Sequence, residues 1–239
     1  MQSPKTDAES GEIDSVSLGT LRHALETVSG FFPTWQLFAF DTVTSTMDQA
    51  AAIYAATHPN RALIYACSQT QGRGRHGKSW LSESNRGVYL SFLLRTTLSP
   101  SQLLGLPLAI GVATSKAAAR LGVETQLKWP NDLVVQHKVE RGYRKLAGIL
   151  IETLADESPW LGICVGIGMN ITSTPEIAAL DGAALSDYLD SPPGTDTVVA
   201  EICRDMIETL EQFLTKGFAP FHAETQRRSL LTGHDVRVQ

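Results

Sequence analysis

Between residues 126 and 171 four strand-like runs follow one another almost without pause: QLKW, DLVVQ, KLAGILIET and WLGICVGIGMNI, with the charged turn HKVERGYR between the second and third. A parallel crossover needs a dozen or more residues, so connections this short leave only antiparallel pairing. The rest of the chain must be arranged around that sheet. Upstream, WQLFAF (35–40), ALIYACS (62–68) and GVYLSFLLR (87–95) read as three further strands. Helical spacing appears in Leu18, Leu21, Leu25 and Val28 before Gly30, and again in MDQAAAIYAAT, where Ser45 and Asp48 have the spacing of a capping box. A long helix is predicted from Ser99-Pro100 to Leu121, stopped by Gly122 and kinked at Pro107. After the linker SPPGTD, VVAEICRDMIETLEQFL and a shorter piece at 218–228 are predicted helical. No internal repeat is visible. This order predicts an α+β domain: a mixed, mostly antiparallel sheet with helices packed on one side.

Composition bounds what such a domain does. With 43% hydrophobic and 19% charged residues in 239, the chain builds one real core and is not broadly disordered. A net charge of -5 argues against a surface that wraps nucleic acid, so any basic site is local. Cys67, Cys164 and Cys203 stand singly, which fits a reducing cytoplasm and no cysteine metal site. The N-terminus is polar and acidic where a secretory signal would be basic and then apolar. The most apolar stretch, Leu103 to Ala113, is broken by Gly105, Pro107 and Gly111 and falls short of the roughly 20 residues a membrane span needs, so no membrane association is expected.

The informative stretch is QTQGRGRHGKSW, Gln69 to Trp80. Its GRGRHGKS matches a phosphate-loop pattern, and Gly72, Gly74 and Gly77 match GxGxxG. Both motifs need the loop to open straight into a helix whose first amides hold the phosphates. WLSESNRG follows instead, a turn-rich run ahead of a strand. A third reading rests on the side chains: Arg73, Arg75, His76 and Lys78 place cations on a glycine-rich loop, a device for anionic ligands. A merely solvated basic loop is the plain alternative. Lys128 and Lys145 lie in or beside apolar strand sequence, where each needs an anionic partner or an exit to solvent, as edge-strand lysines have. Asp132 beside Asn131 also suits a turn.

STMDQA (45–50), QTQGRGRHGKSW, GVYLSFLL, LKWPNDLVV, KLAGILIE and VGIGMNI (165–171), in that order, resemble the catalytic domain of biotin protein ligases over about residues 40 to 172. The pairing of GRGRxG with KWPND is the specific part. The resemblance implies a biotin/lipoate ligase catalytic fold and a two-step reaction: ATP and biotin form biotinyl-5′-AMP, and a lysine of a biotin carboxyl carrier protein then takes the biotinyl group. It implies Lys145, Arg73, Arg75 and Asp132 as catalytic groups, with Mg2+ at Asp132. It implies Ser45, Thr46, Met47, Gln69, Gly72, Gly74 and Gly148 around biotin, joined by Arg73, Arg75 and Lys145. Met47 stands where the family often has Asn. Trp80, Lys128, Asn131 and Asn170 would meet the nucleotide. Residues 1–15 read as a disordered tail, 16–232 as the catalytic domain, and 233–239 as a stub where the family's small β-barrel would begin. DNA binding is not expected, because no winged-helix sequence precedes the domain, and a homodimer is compatible with the resemblance. The competing readings are a phosphate-loop nucleotidase, a lipoate ligase-like acyl-adenylate transferase, and a biotin-binding remnant without turnover.

Overall fold

The computed structural model describes residues 15–139, 142–157 and 159–233. Of the expected tail (1–15) and stub (233–239), residues 1–14 and 234–239 lie outside the described residues, while residue 15 already belongs to a helix.

The strands are β1 (Gln36–Val43), β2 (Arg61–Gln69), β3 (Gly87–Thr96), β4 (Gln126–Lys128), β5 (Asp132–Gln136), β6 (Tyr143–Leu154) and β7 (Leu161–Asn170). They form one sheet in the order β1-β2-β3-β7-β6-β5-β4. Only β1 and β2 are parallel, and a helix, α2 (Thr46–Thr57), makes that crossover. All other neighbours are antiparallel, as the short connections require.

The helices α3 (Leu106–Arg120) and α5 (Thr195–Lys216) cover one face of the sheet, and α1 (Ser15–Glu26) packs on α5. On that face Leu90, Phe92 and Leu94 of β3 meet Val165 and Ile167 of β7, and Val198, Ile202, Met206 and Phe213 of α5. The predicted one-sided helix layer is corrected by α2. It lies on the opposite face over β2, β3 and β7, where Met47, Ala50 and Tyr54 pack with Ile64, Leu93 and Cys164. Strands β3 and β7 are therefore covered on both sides, which explains why they read as continuous apolar runs rather than alternating ones.

The long helix expected from Ser99 to Leu121 is broken. Ser99 and Gln102 form a capping box around a 3-10 turn, Pro100–Leu103, and α3 starts only after Gly105. Gly105 has φ 89°, and a Cβ there would stand 2.8 Å from the Phe218 ring, so the break is set by a close approach from the far end of the chain. Pro107 then sits in the first turn of α3, where it fits, and makes no kink. By length and composition Pro100–Arg120 is apolar enough to cross a membrane, but 61% of that apolar window is buried inside this fold. Two further α-helices are short, α4 (Pro175–Ala179), capped by Thr174, and α6 (His222–Arg228), and single 3-10 turns lie at Leu185–Asp187 and Ala219–Phe221.

Candidate active site

The face that carries α2 is floored with main chain. Gly162, Gly166 and Gly168 share one face of β7, with Cys164 between the first two, and Gly168 pairs with Gly148 of β6. A Cβ at Gly162 would come 2.7 Å from the Tyr54 ring, and one at Gly166 would come 2.7 Å from Met47 Sδ. At Gly168 it would overlap Trp80 Cε2 and Nε1, and at Gly148 it would stand 3.1 Å from Trp80 Cζ3. Tyr54, Met47 and Trp80 thus lie in a row directly on the peptide planes. Alternate glycines in a strand signal such close approach, a sign present in GICVGIG that the motif reading passed over.

The first turn of α2 forms one wall. Ser45 and Thr46 are buried. Ser45 is the N-cap and its Oγ accepts the Met47 amide at 3.2 Å. The reciprocal half of the predicted box is replaced, because the Asp48 carboxylate pairs with Arg73 instead. Gln69 Oε1 accepts from the Thr46 amide (2.7 Å) and hydroxyl (3.2 Å), while its Nε2 donates to Ser82 Oγ at 2.8 Å. Ser91 Oγ donates to Thr46 Oγ1 at 2.9 Å. Gln69 thereby ties the wall to the loop that follows it. Ser82 and Ser91 are site-supporting residues that sequence reasoning missed.

The loop from Gln71 to Ser79 is a compact hairpin. Gly74 N donates to Lys78 O at 2.7 Å, and Trp80 N to Gly72 O at 2.8 Å. Arg75–Gly77 is a single 3-10 turn, with His76 at φ 56° and Gly77 at φ 71°, and Lys78 is extended. No helix opens there, which removes the phosphate-loop reading and the dinucleotide reading alike. Gly72 is buried with Trp80 O only 2.5 Å from where its Cβ would be, so it closes the hairpin and does not line the site.

A bulge delivers the key lysine. Residues three apart on a regular strand face opposite sides. Between Leu133/Val134 of β5 the register to β6 shifts, so that Ala147 and Lys145 take successive partners and Leu146 is the extra residue. Leu146 and Ala147 both enter the main core, and Lys145 emerges on the same side as Gly148. Its Nζ lies 2.7 Å from Asp132 Oδ1 and 5.0 Å from the centre of the Trp80 ring. Arg75 Nη1 donates to Asn131 Oδ1 at 3.2 Å, and Asn131 Nδ2 donates to Ile149 O at 2.8 Å. Arg73 donates from Nη1 and Nη2 to the two oxygens of Glu152, both at 2.9 Å, and stands 3.0 Å from Asp48.

Two cavities meet at this point. The first, about 50 Å³, is bounded by Ser45, Thr46, Met47 and Gln69, by Arg73, Gly74 and Arg75 of the hairpin, and by Asn131 and Gly148. The second, about 310 Å³, is bounded by Lys78, Asp132, Asn170, Ile177 and Leu180. Trp80 and Lys145 border both. Trp80 Nε1 is buried without a hydrogen-bond partner among the described residues. Asn170 Nδ2 donates to Ala183 O at 2.9 Å, which fixes its side chain at the second cavity. Two of the residues expected beside the nucleotide lie away from the second cavity. Asn131, expected beside the nucleotide, borders the first cavity, and Lys128 is exposed at the end of β4 and borders neither of these two. No cluster of three His, Cys, Asp or Glu side chains suited to a metal ion occurs among the described residues. Asp132 is the carboxylate at the second cavity.

The arrangement can bring an anion in one cavity against an anion in the other, with an ammonium at the junction. Residues 37–170 match the Biotin/lipoate A/B protein ligase family. Among curated proteins, the chain is 27% identical to the "Bifunctional ligase/repressor BirA" of Bacillus subtilis over 85% of its own length and 62% of that protein's. It is 32% identical to the "Biotin--[acetyl-CoA-carboxylase] ligase" of Paracoccus denitrificans over 73% of each. Among solved structures, it superposes with a TM-score of 0.67 on the biotin protein ligase from Aquifex aeolicus in complex with biotin and ATP. That match has 29% identity over 82% of this chain and 78% of that one. The chain thus spans less than two thirds of the Bacillus relative's length.

Proposed function

The chain belongs to the Biotin/lipoate A/B protein ligase family, and from that premise we propose that it activates biotin with ATP and passes the biotinyl group to a lysine of a biotin carboxyl carrier protein. The observation that carries this is the shared border: Trp80 and Lys145 line both cavities, so one ammonium reaches reactants placed in each. Biotin occupies the first cavity with its carboxylate toward Lys145, and the nucleotide occupies the second. A carboxylate oxygen attacks the α-phosphorus, the P–O bond to pyrophosphate breaks, and Lys145 offsets the charge that gathers between them. The acceptor's neutral amine then attacks the acyl carbon, the acyl C–O bond breaks, AMP leaves with the bonding electrons, and the nitrogen gives up a proton to solvent to leave the amide.

Asp132 suits Mg2+, because that ion is commonly held by one or two carboxylates and substrate phosphates, with no larger protein cluster needed. When bound, it supplies neutralisation of the phosphate oxygens. Asp132 also holds Lys145 in place at 2.7 Å. The free volume of the first cavity is small because the Trp80 indole lies on its glycine floor, so loading requires the hairpin and Trp80 to move. Closure afterwards keeps water from the mixed anhydride. The three cysteines, none of them in a disulfide, fit a cytoplasmic setting. Biotin-dependent exchange of labelled pyrophosphate into ATP tests the proposal, with lipoate as the parallel arm. Exchange with lipoate alone would move the chain to the sister activity, and exchange with neither would overturn adenylation altogether.

A further inference from the structure

Arg73 carries a charge that its surroundings have already more than cancelled. Its guanidinium makes two parallel bonds of 2.9 Å to Glu152 on β6 and a third contact of 3.0 Å to Asp48 in the first turn of α2. Two carboxylates against one guanidinium leave the cluster at a net charge of about -1, so an approaching carboxylate or phosphate gains little there. Arg75 differs in kind. Its side-chain partner is the neutral amide of Asn131, and its charge remains free to attract an anion into the first cavity.

The three members of the ion cluster come from three separate elements that enclose that cavity: the hairpin, the α2 wall and the β6 floor. We propose that Asp48, Arg73 and Glu152 form a latch that holds the hairpin down over the first cavity. Arg73 is then a positioning residue, and the anion-gripping work falls to Arg75 and Lys145. This deepens the ligase reading and rests on it. The geometry suits a fastening that opens. The fork-to-carboxylate pairing is specific in direction, while side-chain exposures of 34% to 45% keep the pairs in a high-dielectric setting where each is weak. Neither carboxylate belongs to the loop motif, and Glu152 is 79 residues away from Arg73.

Glu152→Gln and Asp48→Asn in the full chain test this with a readout that needs no turnover. Both variants keep Arg73, Arg75 and Lys78, so trypsin can still cut the hairpin. The expected result, without ligand, is cleavage there roughly fivefold faster than in the parent, as loss of an ion pair of this exposure permits. With biotin and ATP, both variants should raise the KM for biotin more than they lower kcat, and should shed biotinyl-adenylate roughly fivefold faster. Arg73→Gln should match them, and Arg73→Gln combined with Glu152→Gln should be no worse than either alone. Parent-like trypsin resistance in Glu152→Gln, or additive losses in the double variant, overturns the latch. So does a hundredfold fall in exchange rate confined to Arg73→Gln, which would place Arg73 on the reacting anion. A parent chain with no exchange would overturn the ligase reading, and the trypsin comparison would still decide the latch.

Discussion

Placing a methyl group on Gly168 tests the main-chain floor directly. Gly168 lies on β7, between Tyr89 of β3 and Gly148 of β6, so the backbone on either side is held by ladder bonds. The three atoms nearest to an added Cβ all belong to Trp80: Cε2 and Nε1 would overlap it and Cζ2 would stand at 2.9 Å. Carbon contacts settle near about 3.5–4.0 Å, so the indole must shift by about 1 Å. Overpacking of this kind costs about 1–3 kcal/mol. At about 2–4 °C per kcal/mol for a chain of this size, a midpoint cost near 2 kcal/mol lowers Tm by about 4–8 °C. Because Trp80 borders both cavities, the same shift misplaces the reactants, and a displacement of about 1 Å costs on the order of a hundredfold in rate. Thermal unfolding and biotin-dependent pyrophosphate exchange read the two effects. In a Trp80→Ala background the methyl group has room, so the thermal penalty of Gly168→Ala should shrink to below about 0.5 kcal/mol. An equal penalty in both backgrounds, or exchange at the parent rate in Gly168→Ala alone, would refute the reasoning.

Lys145→Ala should lower exchange by at least about a hundredfold, the scale of removing one group that stabilises transition-state charge, with the far-ultraviolet circular dichroism unchanged; parent-like exchange would remove the lysine from the chemistry. Gly19 lies inside α1 with nothing within 4 Å of an added Cβ, so Gly19→Ala should stabilise the chain by about 0.5–1 kcal/mol, and a lower Tm would contradict an exposed helical site there. Asp156, which follows β6, turns its side chain in against the C-terminal end of α2, where Tyr54 and His58 meet it. Hydrogen bonds from Arg95 first and Tyr54 second hold its carboxyl well below the usual carboxylate range. A depressed folded pKa adds stability that is complete above the unfolded value near about 4 and is lost as pH falls toward the folded one. The stability gap between the parent and Asp156→Asn, measured by denaturant titration, should therefore be widest at neutral pH and narrow below about pH 4; a gap constant down to pH 2 would exclude this account. Tyr54, pushed up to about 12 mainly by burial, works in the other direction. Its share of stability is present below about pH 10 and lost as pH rises from there through 12, which Tyr54→Phe should abolish.

What the sequence made legible was local. Short connections dictated the antiparallel meander from Gln126 to Asn170, and Ser45 announced the start of α2. What it concealed depended on distant partners. The break before α3 comes from Phe218 pressing on Gly105, more than a hundred residues away, and no window of local sequence contains both. Which face α2 covers follows from the pleat parity of β2, β3 and β7, and these strands are apolar on both faces, so the pattern carries no direction. Arg73 and Arg75 read alike in GRGRHG. Only the fold separates them, by setting two carboxylates against one and an amide against the other. The bulge that turns Lys145 toward the site was equally hidden, since RKLAG gives no sign that a residue will be looped out.

The glycine row of β7 also limits how the chain can change what it accepts. Peptide planes have no atoms for mutation to trim, so the level at which Met47 and Trp80 rest is fixed by the pleat of the sheet. Additions there only raise the bed. A bulkier or slimmer substrate can be accommodated only from above, by resizing the side chains that rest on the strand, Met47 and Trp80. Redesign toward unnatural acids should begin with those two positions and leave the strand alone.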